Sequence, residues 1–589
     1  MDTFESQGVR VAVEGCGHGT LNAIYAAVER SSKERGWDGV DVVIIGGDFQ
    51  ATRNAADLNV MSVPVKYREM GDFWEYYSGA RTAPYLTLFT AGNHEAASHL
   101  FELFYGGWVA PNIYYLGAAN VLRLGPLRIA GMSGIWKGFD YRKPHHERLP
   151  FNQDDVKSFY HVREIDVRKL LQLRTQVDVG LSHDWPRAVE KWGDQKRLWK
   201  MKPDFERESA DGTLGNVAAE YVLDRLRPPH WFSAHLHCKF AALKRYDLDA
   251  QGGSSSDQQP AEAKTSTEQP ETTVPIVGNS DEINLDDDDE VADGPVSNTN
   301  PDEIDLDLDA DDDVDEATTA PAPAQPSQLN PPATETVPKE PTTTVPEDLR
   351  AKLPASFTKQ PPKPKTTPGQ PVPPGITNKQ VRFLALDKCL PKRNFLQLLE
   401  IHPHSAQPAD AAAATGQPQH PGRFQLQYDP EWLAITRVFH HNLTFGDRDA
   451  HVPTDLGEEH YAPLIDTERT WVDEHIVAKE KLNVPSNFAV TAPPHDETQN
   501  WRGVPEQPFE YTSPQTAEFC ALLELENLWD ASEEERMARK AAGPAPSSGF
   551  RGGGGGHRGD RGGYRGRGGR GGRGGRGGRG RGRGNGRFH

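Results

Sequence analysis

Between residue 8 and about residue 248, short apolar runs alternate with stretches of apolar residues at helical spacing. Val9-Arg10-Val11-Ala12-Val13 is the first run and predicts a strand. After the turn Glu14-Gly15-Cys16-Gly17-His18-Gly19, Leu21, Ile24, Tyr25 and Val28 recur at helical spacing, which predicts a helix with Thr20 as its N-cap. Further strands are predicted at Val42-Val43-Ile44-Ile45 and Tyr85-Leu86-Thr87-Leu88-Phe89, and at the runs that end in Ser182-His183 and in Ala234-His235. Strands separated by helices predict a layered α/β domain.

The pattern fades from 249 to about 375, where Ser, Thr, Pro, Gln and acidic residues dominate. Such a segment buries too little apolar surface to offset chain entropy, and it reads as a disordered insert. Apolar content returns over 376–541 and predicts a second, smaller C-terminal domain. Its predicted strands are Phe383 to Asp387 and Phe395 to Ile401, and its helices start at Trp432 and span Thr516 to Leu528, with an interruption from His404 to Gly422. Residues 542–589 form a Gly/Arg tail with no capacity for a core.

Charge follows the same segmentation. The formal net charge of −20 hides 18 acidic residues with no Lys or Arg between Asp281 and Glu316, and 12 Arg with one Asp between Arg551 and His589. No apolar run reaches the roughly 18 residues of a membrane span. The polar first seven residues lack the basic and apolar parts of a secretory signal. Four scattered cysteines argue against a disulfide framework and for a reducing compartment. Cys238, Cys389 and Cys520 read as structural.

Candidate chemistry collects where the predicted strands stop. Five times a polar, ligand-type side chain follows the end of an apolar run, giving Cys16, His18, Asp48, Asn93, His94, His183, His235 and His237 in order. The carboxyl ends of strands in α/β sheets are where sites form. Imidazoles, an amide, a thiol and one carboxylate suit a pair of divalent cations such as Fe2+, Zn2+ or Mn2+. Asp48 is the only carboxylate of the set and so the candidate bridge.

These motifs resemble those of the calcineurin-like metallophosphoesterases. Gly47-Asp48-Phe49-Gln50, Gly92-Asn93-His94-Glu95, the lone His183 and Ala234-His235-Leu236-His237 match four of the family's five blocks, the last loosely. The first block departs, with Cys16-Gly17-His18 in place of the usual Asp. That cysteine is similar to the one in RNA lariat debranching enzymes. Gly106 to Tyr115, Ser182-His183-Asp184-Trp185-Pro186 and Phe383 to Pro391 extend the resemblance, which covers roughly 8–248 and 376–541.

The resemblance implies a β-sandwich metallophosphoesterase fold flanked by helices, and hydrolysis of the 2′,5′ branch linkage of lariat RNA. It implies that His18, Asp48 and His237 hold one metal, with Cys16 as ligand or near-ligand. Asp48, Asn93, His183 and His235 would hold the other, and His94 would be the general acid. It also places a lariat-recognition loop between Gly131 and Tyr160, where Trp136, Lys137, Phe139, Tyr141, Arg142 and Lys143 interleave aromatic and basic groups. The Arg-Gly tail is expected to bind RNA by charge and stacking. A nuclear location follows from where lariats arise. The competing readings are a phosphatase or DNA nuclease on the same scaffold, and an RNA-binding adaptor driven by the tail.

Overall fold

The computed structural model describes residues 8–246, 367–404, 422–498, 502 and 504–547. Most of the expected insert and the Arg-Gly repeats lie outside the described residues, as does most of the interruption after His404. The described residues belong to one compact unit.

Among the described residues, thirteen strands make two sheets. In chain order they are β1 Val9–Glu14, β2 Val42–Ile45, β3 Thr87–Phe89, β4 Gly107–Ala110, β5 Ile113–Tyr115, β6 Ala119–Leu124, β7 Leu127–Met132, β8 Val179–Ser182, β9 His230–Ser233, β10 Phe240–Arg245, β11 Gln380–Ala385, β12 Leu396–Ile401 and β13 Leu426–Tyr428. One sheet has the order β12-β1-β2-β3-β5-β4 and the other β10-β11-β9-β8-β7-β6-β13.

Period-two alternation explains the layering. Val9, Val11, Val13 and Ile44 face a core that also contains Val121, Ile129, Val179, Leu181 and Phe383 of the second sheet. Ala12, Val43 and Ile45 turn the other way and pack with Leu21, Ile24 and Val28 of helix Leu21–Glu34. The result is a sandwich with helices outside it, the architecture the family resemblance implies.

The cap of that helix is a correction. Thr20 gives it no side-chain cap bond, and its hydroxyl donates instead to the Gly17 carbonyl at 2.8 Å. The Asp72 carboxylate takes the role, accepting from the Leu21 and Asn22 amides at 2.9 and 2.7 Å. The last predicted helix is also shorter than expected, running from Pro514 to Leu522.

The C-terminal segment does not build a sheet of its own. β12 pairs antiparallel with β1 along its whole length, from Val9↔Ile401 to Glu14↔Leu396. β11 inserts between β10 and β9, and β13 borders β6. The segment is distinct in sequence yet shares the core, because an edge strand with an apolar face needs a sheet to bury it.

A buried ion network locks this arrangement. Arg128 on β7 donates to both Asp429 oxygens at 2.7 and 2.9 Å and to Glu431 at 2.8 Å, and Arg123 adds a bond to Asp429 at 2.8 Å. Burial opposes the Asp429 charge, but the two guanidiniums outweigh it and hold the carboxyl well below the usual carboxylate range. Asp429 also caps helix Pro430–His440 through the Trp432 amide. Removing one partner of such a network strands the other charges. Asp429→Ala is therefore expected to lower the unfolding free energy by about 3–5 kcal/mol in urea titrations at neutral pH. A loss below about 1 kcal/mol would show that the network does not carry the junction.

Candidate metal centre

The loops beyond the strand ends are held in register by their own backbones. The amides of Gly17, His18 and Gly19 donate to the carbonyls of Gly47, Asp48 and Phe49 at 3.1, 2.6 and 3.3 Å. This continues the β1–β2 contact past the sheet edge and sets His18 beside Asp48. His18, Asp48, His235 and His237 all have positive φ, between 42° and 60°. Non-glycine residues adopt that region at a cost, and such outliers concentrate at functional sites.

Cys16, His18, Asp48 and His237 each present a ligand-type atom within 4.8 Å of the others. The Nε2 atoms of His18 and His237 face each other at 3.2 Å, and His18 Nε2 lies 3.7 Å from Asp48 Oδ2. On the other side of Asp48, His183 Nε2 is 3.5 Å from Oδ1 and 3.3 Å from the Asn93 side-chain oxygen. The His235 ring centroid is 4.9 Å from that of His183, and its Nδ1 is buried without a hydrogen-bond partner. The His235 amide donates to Cys16 Sγ at 3.2 Å. His94 closes the cluster, with Nδ1 3.3 Å from Asp48 Oδ2. All eight strand-end residues singled out in the sequence meet here.

The protons show why this set suits cations. His183 Nδ1 donates to the Gly46 carbonyl at 2.9 Å, so its Nε2 carries a bare lone pair. Asn93 donates its amide nitrogen to His94 Nε2 at 3.0 Å, which turns its oxygen toward His183. Three acceptors, on His183, Asn93 and Asp48, thus converge with no proton among them. Burial lowers the pKa of His18 and His183 to about 4 and takes His237 well below its ordinary value, so all three are neutral near pH 7. Burial works against the Asp48 charge, yet the rings of His183, His94 and His18, each a cation only when it takes a proton, hold its carboxyl well below the usual range, so that at low pH the proton goes to an imidazole before it goes to Asp48. Burial first, then Asp48, push the Cys16 thiol up. A bound cation would draw out a thiolate and satisfy every converging lone pair, so the residues fit a pair of divalent ions.

Several supports were not evident from the sequence. Glu95 is buried, and its carboxylate accepts from the amides of Phe49, Gln50 and Gly92 at 2.8, 2.8 and 3.0 Å, tying the Asp48 loop to the Asn93 loop. Gln50 reaches His18 Nδ1 at 3.4 Å. The C-terminal segment enters as well, since the Cys16 amide donates to the Asp387 carbonyl and Cys16 forms a parallel bridge with Lys388. A glutamate after Asn-His is a signal of sorts; the contribution of residue 388 had none.

The loop after β7 divides. Trp136 and Tyr141 lie 4.9 Å apart and pack against the core. The Trp136 amide meets Asp184 at 3.4 Å, which roots the loop beside the strand end that carries His183. Phe139, Arg142 and Lys143 stand outward, and Lys137 is half-buried. Asp140 holds the turn from beneath, bonded to His161 at 2.6 Å and to Lys143 at 2.5 Å. The adjacent histidines of this loop are spent separately, His145 on Asp166 and His146 on Glu147.

A two-sheet sandwich with this cluster at its strand ends defines a calcineurin-like metallophosphoesterase. The family model described as calcineurin-like phosphoesterase matches residues 9–239, and the one described as lariat debranching enzyme, C-terminal domain, matches 378–528. A lariat debranching enzyme of Schizosaccharomyces pombe is 36% identical over 533 residues, covering 88% of this chain and 96% of the relative. Those of Homo sapiens and Arabidopsis thaliana are 35% and 33% identical, covering 87% and 89% of this chain and 69% and 88% of their own. The chain belongs to the lariat debranching enzyme family.

Gly92 tests the packing of the centre. A Cβ there would sit 2.1 Å from Asp48 Oδ1 and 2.6 Å from His183 Cε1. Gly92→Ala is expected to displace Asp48 and to cut bound metal per chain by at least about half. Elemental analysis of purified protein reads this directly, and full metal content in the variant would contradict the described packing.

Proposed function

We propose that this chain hydrolyses the 2′,5′-phosphodiester branch linkage of lariat RNA at the cluster built on Asp48. The observation that carries it is the convergence of the strand-end groups on one buried carboxylate, in a chain of this family. Asp48 would bridge two divalent metals. His18 and His237 would hold one, with Cys16 beside it, and Asn93, His183 and His235 the other. Zn2+, Fe2+ and Mn2+ all suit the donors, and the Cys16 sulfur favours the softer Zn2+ or Fe2+. When bound, the ions supply an acidified water and positive charge against the phosphoryl oxygens.

The residues do the rest. The water oxygen joins phosphorus as the bond from phosphorus to the branch 2′ oxygen breaks. That oxygen leaves as a hydroxyl and needs a proton, and the other product is a linear RNA with a 5′-phosphate. His94 would deliver the proton. Its Nε2 accepts from the Asn93 amide in this structure, so that contact would open and Nε2 would take a proton from solvent before the step; the imidazolium, supported by Asp48 beside Nδ1, would then give that proton to the leaving oxygen and end neutral. Holding donor and leaving group in one cluster replaces a chance encounter with a fixed geometry.

RNA is held outside the cluster. Lys137, Phe139, Arg142 and Lys143 would contact it, with Trp136 and Tyr141 shaping their loop. Bases stack on exposed aromatic faces and phosphates meet the basic groups. The Arg-Gly tail would add affinity with little sequence preference, and the nucleus, where lariats form, is the proposed location.

Two results would test this. His94→Ala is expected to lower kcat on a synthetic branched RNA by about 10²- to 10⁴-fold while metal content stays at the wild-type value. Near-normal turnover would remove His94 from the mechanism. Cys16→Asp is expected to keep two metals per chain but to shift the best activating ion from Zn2+ or Fe2+ toward Mn2+ or Mg2+. An unchanged metal preference, read by reconstituting chelator-stripped protein with each ion, would place the thiol outside the coordination sphere.

A further inference from the structure

Lys388 follows β11 in the Leu386-Asp387-Lys388-Cys389 turn. Its backbone is pinned to the metal centre. Cys16 and Lys388 form a parallel bridge, the Cys16 amide donates to Asp387 O and the Cys389 amide to Cys16 O, both at 3.4 Å. The side chain is half-buried. Among the described residues no carboxylate lies within ion-pair distance of its ammonium. The neighbouring Asp387 is engaged elsewhere, accepting from the Lys388 amide at 2.8 Å and pairing with Arg393 at 3.4 Å.

Residues paired across a bridge present their side chains to the same face, so the Lys388 stem starts out alongside that of Cys16. A lysine whose backbone is held beside a place built for two divalent cations brings a charge that they repel. The arrangement becomes favourable once an anion lies between, shared by the metals and the ammonium. A phosphodiester has two non-bridging oxygens and can be shared in this way. A lysine serving only as a solvated surface group would gain nothing from a half-buried position at this spot.

We propose that Lys388 is a catalytic residue whose ammonium takes a non-bridging oxygen of the scissile phosphate on the Cys16 side of the cluster, so that the C-terminal segment completes the active site. This rests on phosphodiester hydrolysis at the Asp48 cluster. The charge that builds on the phosphoryl oxygens during attack is then met by a fixed donor as well as by the metals. It also assigns the segment a chemical task beyond its structural one, because β11, paired between β10 and β9, carries Lys388 to the site.

Lys388→Met keeps the apolar stem and removes the charge, and Lys388→Arg keeps the charge. With metal content and unfolding midpoint at wild-type values, Lys388→Met is expected to weaken inhibition by inorganic phosphate at least about tenfold and to lower kcat/KM on branched RNA by about 10- to 100-fold. The slope of log kcat/KM against log salt should become shallower by about one, as for the loss of one phosphate contact. Lys388→Arg should recover most of each effect. Unchanged phosphate inhibition in Lys388→Met overturns the proposal. So does a parallel loss of metal in both variants, which would make residue 388 a scaffold for the Cys16 loop. If wild-type protein cleaved a generic phosphodiester but not branched RNA, the substrate reading would fall, while phosphate inhibition would still decide the role of Lys388.

Discussion

A single buried carboxylate organises this protein. Asp48 is 1% exposed and has His18, His94 and His183 within 3.7 Å. An ionised carboxylate is tolerated at such depth only when positive charge or hydrogen bonds surround it. Its neighbours are largely neutral imidazoles, and among the described residues its one backbone donor is the His94 amide, at 3.0 Å. The remaining demand is for cations, which makes metal binding a requirement of the packing and not an addition to it.

That demand explains features that look costly in isolation. Four of the cluster residues adopt left-handed backbone, and Gly47 and Gly92 leave no room for a Cβ beside His183 and Asp48. Such strain persists because the surrounding structure over-determines it. Paired backbones of the first two strand-end loops, and the Glu95 carboxylate binding three amides across the second and third, are what over-determine it here. The two sheets behind them form one rigid support, whose strands from the C-terminal segment close β1 on one sheet and β9 on the other. Family boundaries and cores therefore differ in this chain. A long insertion between β10 and β11 is compatible with this, since those strands still pair from Phe240↔Ala385 to Arg245↔Gln380 and loop closure entropy grows slowly with length.

Legibility in the sequence followed the range of the interaction. Strands β1, β2, β8 and β9 were readable because their apolar runs are local, and the residues just past their ends carry ligand chemistry. The cap of helix Leu21–Glu34 was misread because Thr20 satisfies the local rule, whereas Asp72 wins from 51 positions away. The aromatic-basic loop was found as a composition, but its division into packed Trp136 and Tyr141 and outward Phe139, Arg142 and Lys143 depends on which side meets the core.

The sequence by itself determined which groups were available and in what order they came. A thiol, imidazoles, an amide and one carboxylate, each after an apolar run, already suited a pair of divalent cations, and the resemblance of their motifs to a known family implied a phosphoesterase. Only the tertiary structure decided how those groups share protons, that the C-terminal segment builds part of both sheets, and that Lys388 lies against Cys16. The physical reason is one of distance. Periodicity and turn chemistry act over a few residues and leave their mark on the local pattern. Hydrogen bonds and charges between residues hundreds of positions apart leave no mark until the sheets bring them together.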